Sequence, residues 1–463
     1  MRHIAPLVLA GCAAASAAPQ AQKLAQDSHS IYKELVEIDT TQSNGDTAKA
    51  AHAMEAHLLA AGFPKADVQV FEPAPKRGDL VARLRGTGVK KPMILMAHID
   101  VVEAKKTDWS TDPFKLVEKD GYFYGRGTGD DKFMAAAWVA NMVRWKQEGY
   151  APDRDLILVL ECDEEISDEH EYGIKFLLAK HKDLFGDADL ALNEGGGVAM
   201  IDGKPRWNSI QTTEKLFQSF WLETHNKGGH SSQPRKDNAI YELADALVKL
   251  EKYEFPFELN ATTRAYFAAM AKIEKGQNAA DMKAILAAKP NKQALARLSA
   301  QPPYNATIRT TCVATRLEGG HADNALPQVA RAMVNCRILP GHSPDEVQAQ
   351  LAKVIGDAGV TITAAGKDTT SEPLAVDPEL EAAATQVGAK FWPGIPVVPT
   401  MSAGATDGRY LRNAGIKCYG HSGLAGDIFD VRAHGKDERV GTKAFDDGVE
   451  YLYELVKVMA GGK

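Results

Sequence analysis

The chain has 463 residues, 44% of them hydrophobic and 25% charged, a globular balance too long for one core, so two domains are expected. A net charge of −7, with no basic run carrying interleaved aromatics, excludes a nucleic-acid reader. Beyond the first residues no run approaches the roughly 18 apolar residues of a membrane-spanning helix.

Residues 1–20 read as a leader: Arg2 supplies the positive start, residues 4–10 a short apolar stretch, and Ala15-Ser16-Ala17 a small-residue cleavage site. Leu9-Ala10-Gly11-Cys12 also resembles the bacterial lipoprotein box. Export to the periplasm or beyond is therefore expected, either by cleavage or with a lipid anchor on Cys12.

Apolar residues at helical spacing predict helices over 24–38 and 47–61, the second stopping at Gly62. Short β-type runs follow at 80–84, 93–99 and 156–161, with helical periodicity at 133–147 between the last two. Strands alternating with helices predict an α/β layer: a mostly parallel sheet with helices on both faces. From about Glu214 the pattern becomes α+β, with strands at 216–224, 307–316, 330–337 and 360–364 and helices at 238–251 and 344–355. A helical insertion occupies roughly 258–301. The expected plan is a catalytic domain of 21–213 and 371–463, with an α+β lid of 214–370 inserted. A helix at 378–391, a glycine-rich loop and a closing helix at 442–459 complete the first domain.

The cysteines after Cys12 are Cys162, Cys312, Cys336 and Cys418, without metal-type spacing. Cys312 and Cys336 could pair if they lie on neighbouring strands, but buried small hydrophobes are the favoured reading.

Chemistry gathers where strands end. His98-Ile99-Asp100 closes one strand, and residues two apart face the same side. Tyr124-Gly125-Arg126-Gly127-Thr128-Gly129-Asp130-Asp131-Lys132 delivers two acids just before a helix, where they serve equally well as caps. Glu161-Cys162-Asp163-Glu164-Glu165 places four acids in five residues at the end of a buried strand. Such acids repel one another unless cations are present, or unless the segment is a solvated loop. Asn193-Glu194-Gly195-Gly196-Gly197 ends another strand in a carboxylate beside glycines, and His434-Gly435-Lys436-Asp437-Glu438 adds a histidine near the C-terminus.

In this order the segments resemble the dizinc exopeptidases, the family of glutamate carboxypeptidase, aminoacylase, succinyl-diaminopimelate desuccinylase, carnosinase and yeast carboxypeptidase S. The long helical insertion is closest to the carboxypeptidase S-like branch. The resemblance implies that Asp130 bridges two metals, one completed by His98 and Glu194, the other by Glu165 and His434. It makes Glu164 the general base and Asp100 the group that orients His98. Imidazole and carboxylate ligands suit two Zn²⁺ per subunit, with Mn²⁺ or Co²⁺ as alternatives. From the lid, His230 would stabilise the oxyanion, Asn324 would contact substrate, and Arg337 is a further lid match. In Thr406-Asp407-Gly408-Arg409, Arg409 would bind a substrate carboxylate, with His421 nearby.

Phe133 departs from the family pattern, standing where glycine is usual, and Glu194 is a glutamate, more typical of the family's carboxypeptidases and acylases than of its dipeptidases, where aspartate is common. The resemblance thus implies a metal-dependent hydrolase that releases an amino acid from a small peptide or N-acyl amino acid, acting as a homodimer paired through the lid. The alternatives are a dipeptidase and a catalytically silent, metal-stabilised binding protein. A zinc-stabilised structural protein would need thiolate clusters that this sequence does not have.

Overall fold

The computed structural model describes residues 14–166, 171–366 and 370–463. Most of the leader, including Cys12, lies outside the described residues. The chain divides into two compact units, the first comprising residues up to Lys90, Leu95–Glu165 and Asp430–Lys463, the second chiefly Ile166–Phe429. Among the described residues, no helix is long and apolar enough to cross a membrane.

In the first unit the strands Val68–Ala74, Arg77–Leu84, Leu156–Glu161 and Met93–His98 lie side by side in that order. Every residue of Met93–His98 and Leu156–Glu161 is buried, as continuous apolar runs require. The helices Ala14–Glu37, Thr47–Ala60, Lys132–Glu148 and Thr442–Ala460 pack with them. Asp46 caps the second by accepting from Lys49 N, and Gly149, at φ 69°, ends the third in the left-handed conformation glycine adopts without penalty. Phe133 is fully buried, edge-on to Phe445 at 5.6 Å between ring centroids, so the bulky residue serves as core.

The second unit contains Leu190–Asn193, Lys417–Gly420, Lys204–Glu214, Gly197–Ile201 and Ala425–Asp427 as successive strands, with Val397–Ser402 also pairing Lys204–Glu214. It also holds a four-stranded antiparallel sheet in the order Thr311–Gly319, Val329–Ile338, Leu216–His225, Val360–Ala365. Helices Ala239–Glu251 and Pro344–Ile355 cover one face of that sheet around Phe220, Leu222, Val334 and Leu351. This is the inserted α+β lid. The helical insertion packs Phe267, Met270, Met282 and Leu298 into one core with Ala199, Trp207 and Val398 of the neighbouring strands.

The α/β class and the lid agree with expectation, and the strands outside the lid run in mixed directions rather than purely parallel. Val68–Ala74 with Arg77–Leu84, and Gly197–Ile201 with Lys204–Glu214, are antiparallel. Both are joined by two-residue turns, which can only reverse the chain. Other departures are local. The expected strand at 307–316 splits into a helix, Pro302–Ile308, and a strand, Thr311–Gly319, because Pro302 and Pro303 suit a helix start. The glycine-rich return carries the strands Val397–Ser402 and Lys417–Gly420 and the helix Gly408–Asn413. Cys312 and Cys336 form a disulfide rather than remaining buried thiols, since the register sets them directly opposite each other.

Candidate metal and catalytic site

His98 ends a fully buried strand and is itself 1% exposed, so its ring is fixed by packing. Its Nδ1 lies 3.1 Å from the carbonyl of Asp100 and 3.6 Å from that residue's carboxylate. A carbonyl only accepts, so Nδ1 carries the hydrogen and Nε2 is the ligating nitrogen. That Nε2 stands 3.1 Å from Oδ1 of Asp130. On the other side, Nε2 of His434 stands 3.1 Å from Oδ2 of Asp130 and 2.8 Å from Glu165. One carboxylate thus shows each of its oxygens to a different imidazole, as a carboxylate placed between two cations would.

The donor atoms of His98, Glu164 and Glu165 lie within 4.8 Å of one another, and so do those of Asp130, Glu165 and His434. Burial opposes ionisation of Asp130, but hydrogen bonds from His434 and His98 outweigh it and hold the carboxyl well below the usual range. His434 is pushed up to about 10 by its bonds to Asp130 and Glu165. A carboxylate kept ionised between two imidazoles fits a hard or borderline divalent cation, and the nitrogen-oxygen donor set is one that zinc accepts.

Two residues hold the carboxylates in place. Asp100 is fully buried, and its carboxylate accepts the backbone N–H of Glu164 at 3.2 Å and of Glu165 at 3.0 Å. Its side chain therefore ties down the acidic turn, while its carbonyl is the nearer partner of His98. Glu438, 2% exposed, accepts from Arg126 at 2.6 Å and from the N–H groups of Gly127, Gly129 and Asp130 at 3.1, 2.7 and 3.2 Å. That one carboxylate gathers the amides of Gly127, Gly129 and Asp130 into the turn before the helix. At Gly127 (φ 83°) a Cβ would meet Val101 Cγ1 at 2.6 Å. In the sequence, the signal for Glu438 is an acid four residues after His434.

The four acids of the strand end separate in space. Asp163 turns to Arg77, with Nε and Oδ1 3.5 Å apart, and Glu161 continues the buried strand, its carbonyl accepting from Ile99 N. Behind them, burial pushes Asp79 up to about 7, helped by the charges of Asp163 and Asp100, while it accepts from Cys162 N at 2.9 Å.

The remaining candidates belong to the second unit. Glu194 follows the strand Leu190–Asn193, before three glycines that all have positive φ. His230 is exposed on a two-residue strand, opposite Ala325, and Asn324 lies beside it, its carbonyl accepting from Ser231 N at 3.0 Å. The structure thus brings His230 and Asn324 together. Arg409 donates to the Thr406 carbonyl and to the Tyr410 hydroxyl, both at 2.9 Å, and lies over the Tyr410 ring. Arg337 stacks on Phe217. His421 is buried, pushed down to about 4 by that burial, and held by the Ser209 carbonyl at 2.9 Å.

A model of peptidase family M20/M25/M40 matches residues 94–458. The human N-fatty-acyl-amino acid synthase/hydrolase is 29% identical over 382 residues, covering 79% of this chain and 74% of its own. Mouse aminoacylase-1 is 26% identical over 441 residues, covering 93% and 94%. An M20 family metallo-carboxypeptidase from Sulfolobus solfataricus superposes with a TM-score of 0.72 at 19% identity, covering 94% of this chain and 99% of its own.

Proposed function

The chain belongs to peptidase family M20/M25/M40, a family of metal-dependent hydrolases, and we propose that it cleaves N-acyl amino acids or short peptides beside a free carboxylate, using two zinc ions. The observation that carries this reading is the Asp130 carboxylate, one oxygen 3.1 Å from Nε2 of His98 and the other 3.1 Å from Nε2 of His434, with Glu165 beside His434 at 2.8 Å. His98 and Asp130 would hold one cation with Glu194, and Asp130, Glu165 and His434 the other. Two bound cations would lower the pKa of a water and polarise the scissile carbonyl.

The side chains then divide the remaining work. Glu164, its backbone fixed by Asp100, takes a proton from the attacking water and returns it to the departing amine. Asp100 and Glu438 keep the donor carboxylates from rearranging. Arg409 supplies a planar fork for the substrate carboxylate, Asn324 a polar contact, and His230 an N–H for the developing oxyanion.

A homodimer paired through the lid (214–370) accords with the edge strand Thr311–Gly319, where Val313 is 62% and Leu317 69% exposed. A nine-residue edge with apolar side chains invites pairing with a second copy. The Cys312–Cys336 disulfide accords with export to an oxidising compartment, as a cleaved or a Cys12-anchored protein.

The test is a panel of N-acyl amino acids, N-blocked peptides and free dipeptides, assayed with and without chelator. Turnover of blocked substrates that is lost with chelator supports the proposal. Turnover confined to substrates with a free α-amine would make the enzyme a dipeptidase instead. No turnover of any of them, with metal bound, would leave a silent binding protein.

A further inference from the structure

The exposed ring of His230 is held in one orientation by its own loop. Its Nδ1 lies 3.2 Å from the backbone N of Ser232 and 2.8 Å from the Ser232 hydroxyl. A backbone N–H can only donate, so Nδ1 must offer its lone pair, and the single hydrogen of the neutral ring sits on Nε2. The main chain around the ring is fixed as well. His230 pairs with Ala325, its carbonyl accepts from Gln233 N at 3.0 Å, and Ser231 N donates to Asn324 O. Gly228 and Gly229, at φ 70° and 151°, allow the approach, and a Cβ on Gly228 would meet Gln328 Cγ at 2.9 Å. An exposed histidine gains no stability from burial, so this web of bonds serves to aim the ring and set its tautomer.

We propose that Ser232 is a positioning residue that fixes His230 as an Nε2–H donor, ready for the oxyanion of the tetrahedral intermediate. This rests on the reading of His230 given above. Ser232 touches no reacting atom. It removes the tautomer in which Nε2 would present a lone pair to a negatively charged oxygen, which would repel where donation is needed.

Two nearly isosteric substitutions separate this from a packing role. In Ser232→Asn the side-chain amide can still donate to Nδ1. In Ser232→Asp the backbone N–H of residue 232 remains at 3.2 Å, but the carboxylate can only accept and bonds more strongly than that longer amide contact, so it draws the ring hydrogen to Nδ1 and leaves Nε2 bare unless the ring takes a second proton. The expected result is kcat/KM within about threefold of the parent for Ser232→Asn at all pH values. For Ser232→Asp a loss of about 100-fold is expected near pH 9, shrinking towards pH 6 as the protonated ring regains an Nε2–H. Equal losses in both variants with unchanged pH profiles, or no loss in either, would overturn the proposal. The ¹⁵N-histidine spectrum of the parent, with His230 assigned by difference from His230→Gln, gives a test that needs no Ser232 variant. An unprotonated Nδ1 is expected, and a protonated one refutes the tautomer. Unchanged turnover in His230→Gln, by contrast, would remove the oxyanion role itself, whatever the tautomer.

Discussion

Replacing Glu438 with glutamine should uncouple the glycine-rich turn from the metal centre. The two carboxylate oxygens each take two donors: Oε1 accepts from Gly129 N and Asp130 N, and Oε2 from Arg126 Nη1 and Gly127 N. An amide has one oxygen, so its NH₂ must face two of these donors in either orientation. Each buried donor left unsatisfied costs about 1–3 kcal/mol, giving about 2–6 kcal/mol for the two. If the amide NH₂ turns to Arg126, whose side chain is 3% exposed, the loss should approach the roughly 3–5 kcal/mol of a broken buried ion pair. We expect Glu438→Gln to lose about 4 kcal/mol, a large part of the roughly 5–15 kcal/mol that holds a domain together. Asp130 follows directly after the released amides, so bound metal should fall with stability. Urea unfolding of chelated and metal-loaded protein, with elemental analysis of each, measures both effects. A variant that unfolds within about 1 kcal/mol of the parent and keeps its full metal content would refute the reasoning.

Glu164→Gln should keep its metal yet lose about 10²–10⁴-fold in kcat, because the amide cannot accept the water proton, as steady-state kinetics with metal analysis would reveal. Dialysis against chelator should abolish turnover, and added Zn²⁺, Mn²⁺ or Co²⁺ should restore it; activity that persists in metal-free protein contradicts the site. In the chelated protein His434 is pushed up to about 10, above the unfolded value of 6.5. Its contribution to stability should therefore be full below pH 6.5 and decline as pH rises towards 10, a trend that His434→Ala should flatten in thermal melts. Removing the disulfide with Cys312→Ser and Cys336→Ser, which opens a loop of 24-residue separation, should cost about 3.5 kcal/mol on chain entropy, read as a shift in the urea midpoint.

Sequence alone determined the elements whose pattern is local. Apolar periodicity located the helices Thr47–Ala60, Pro344–Ile355 and Pro378–Phe391 to within a residue, because each is bounded by a cap or a helix-stopping residue at a fixed offset. It also set His98, Asp130 and the Glu164-Glu165 pair at strand and helix ends, since a buried apolar run that stops at acids leaves few places for them. What depends on contacts between distant segments was decided only by the tertiary structure. Glu438 and Gly129 are 309 residues apart, and nothing in the spacing says that one carboxylate closes the other's turn. The Cys312–Cys336 bond required the register of two strands, and the Ser232 contact required the ring rotamer of His230. Local sequence fixes which residues can be donors and acceptors, whereas only the folded chain fixes which of them meet.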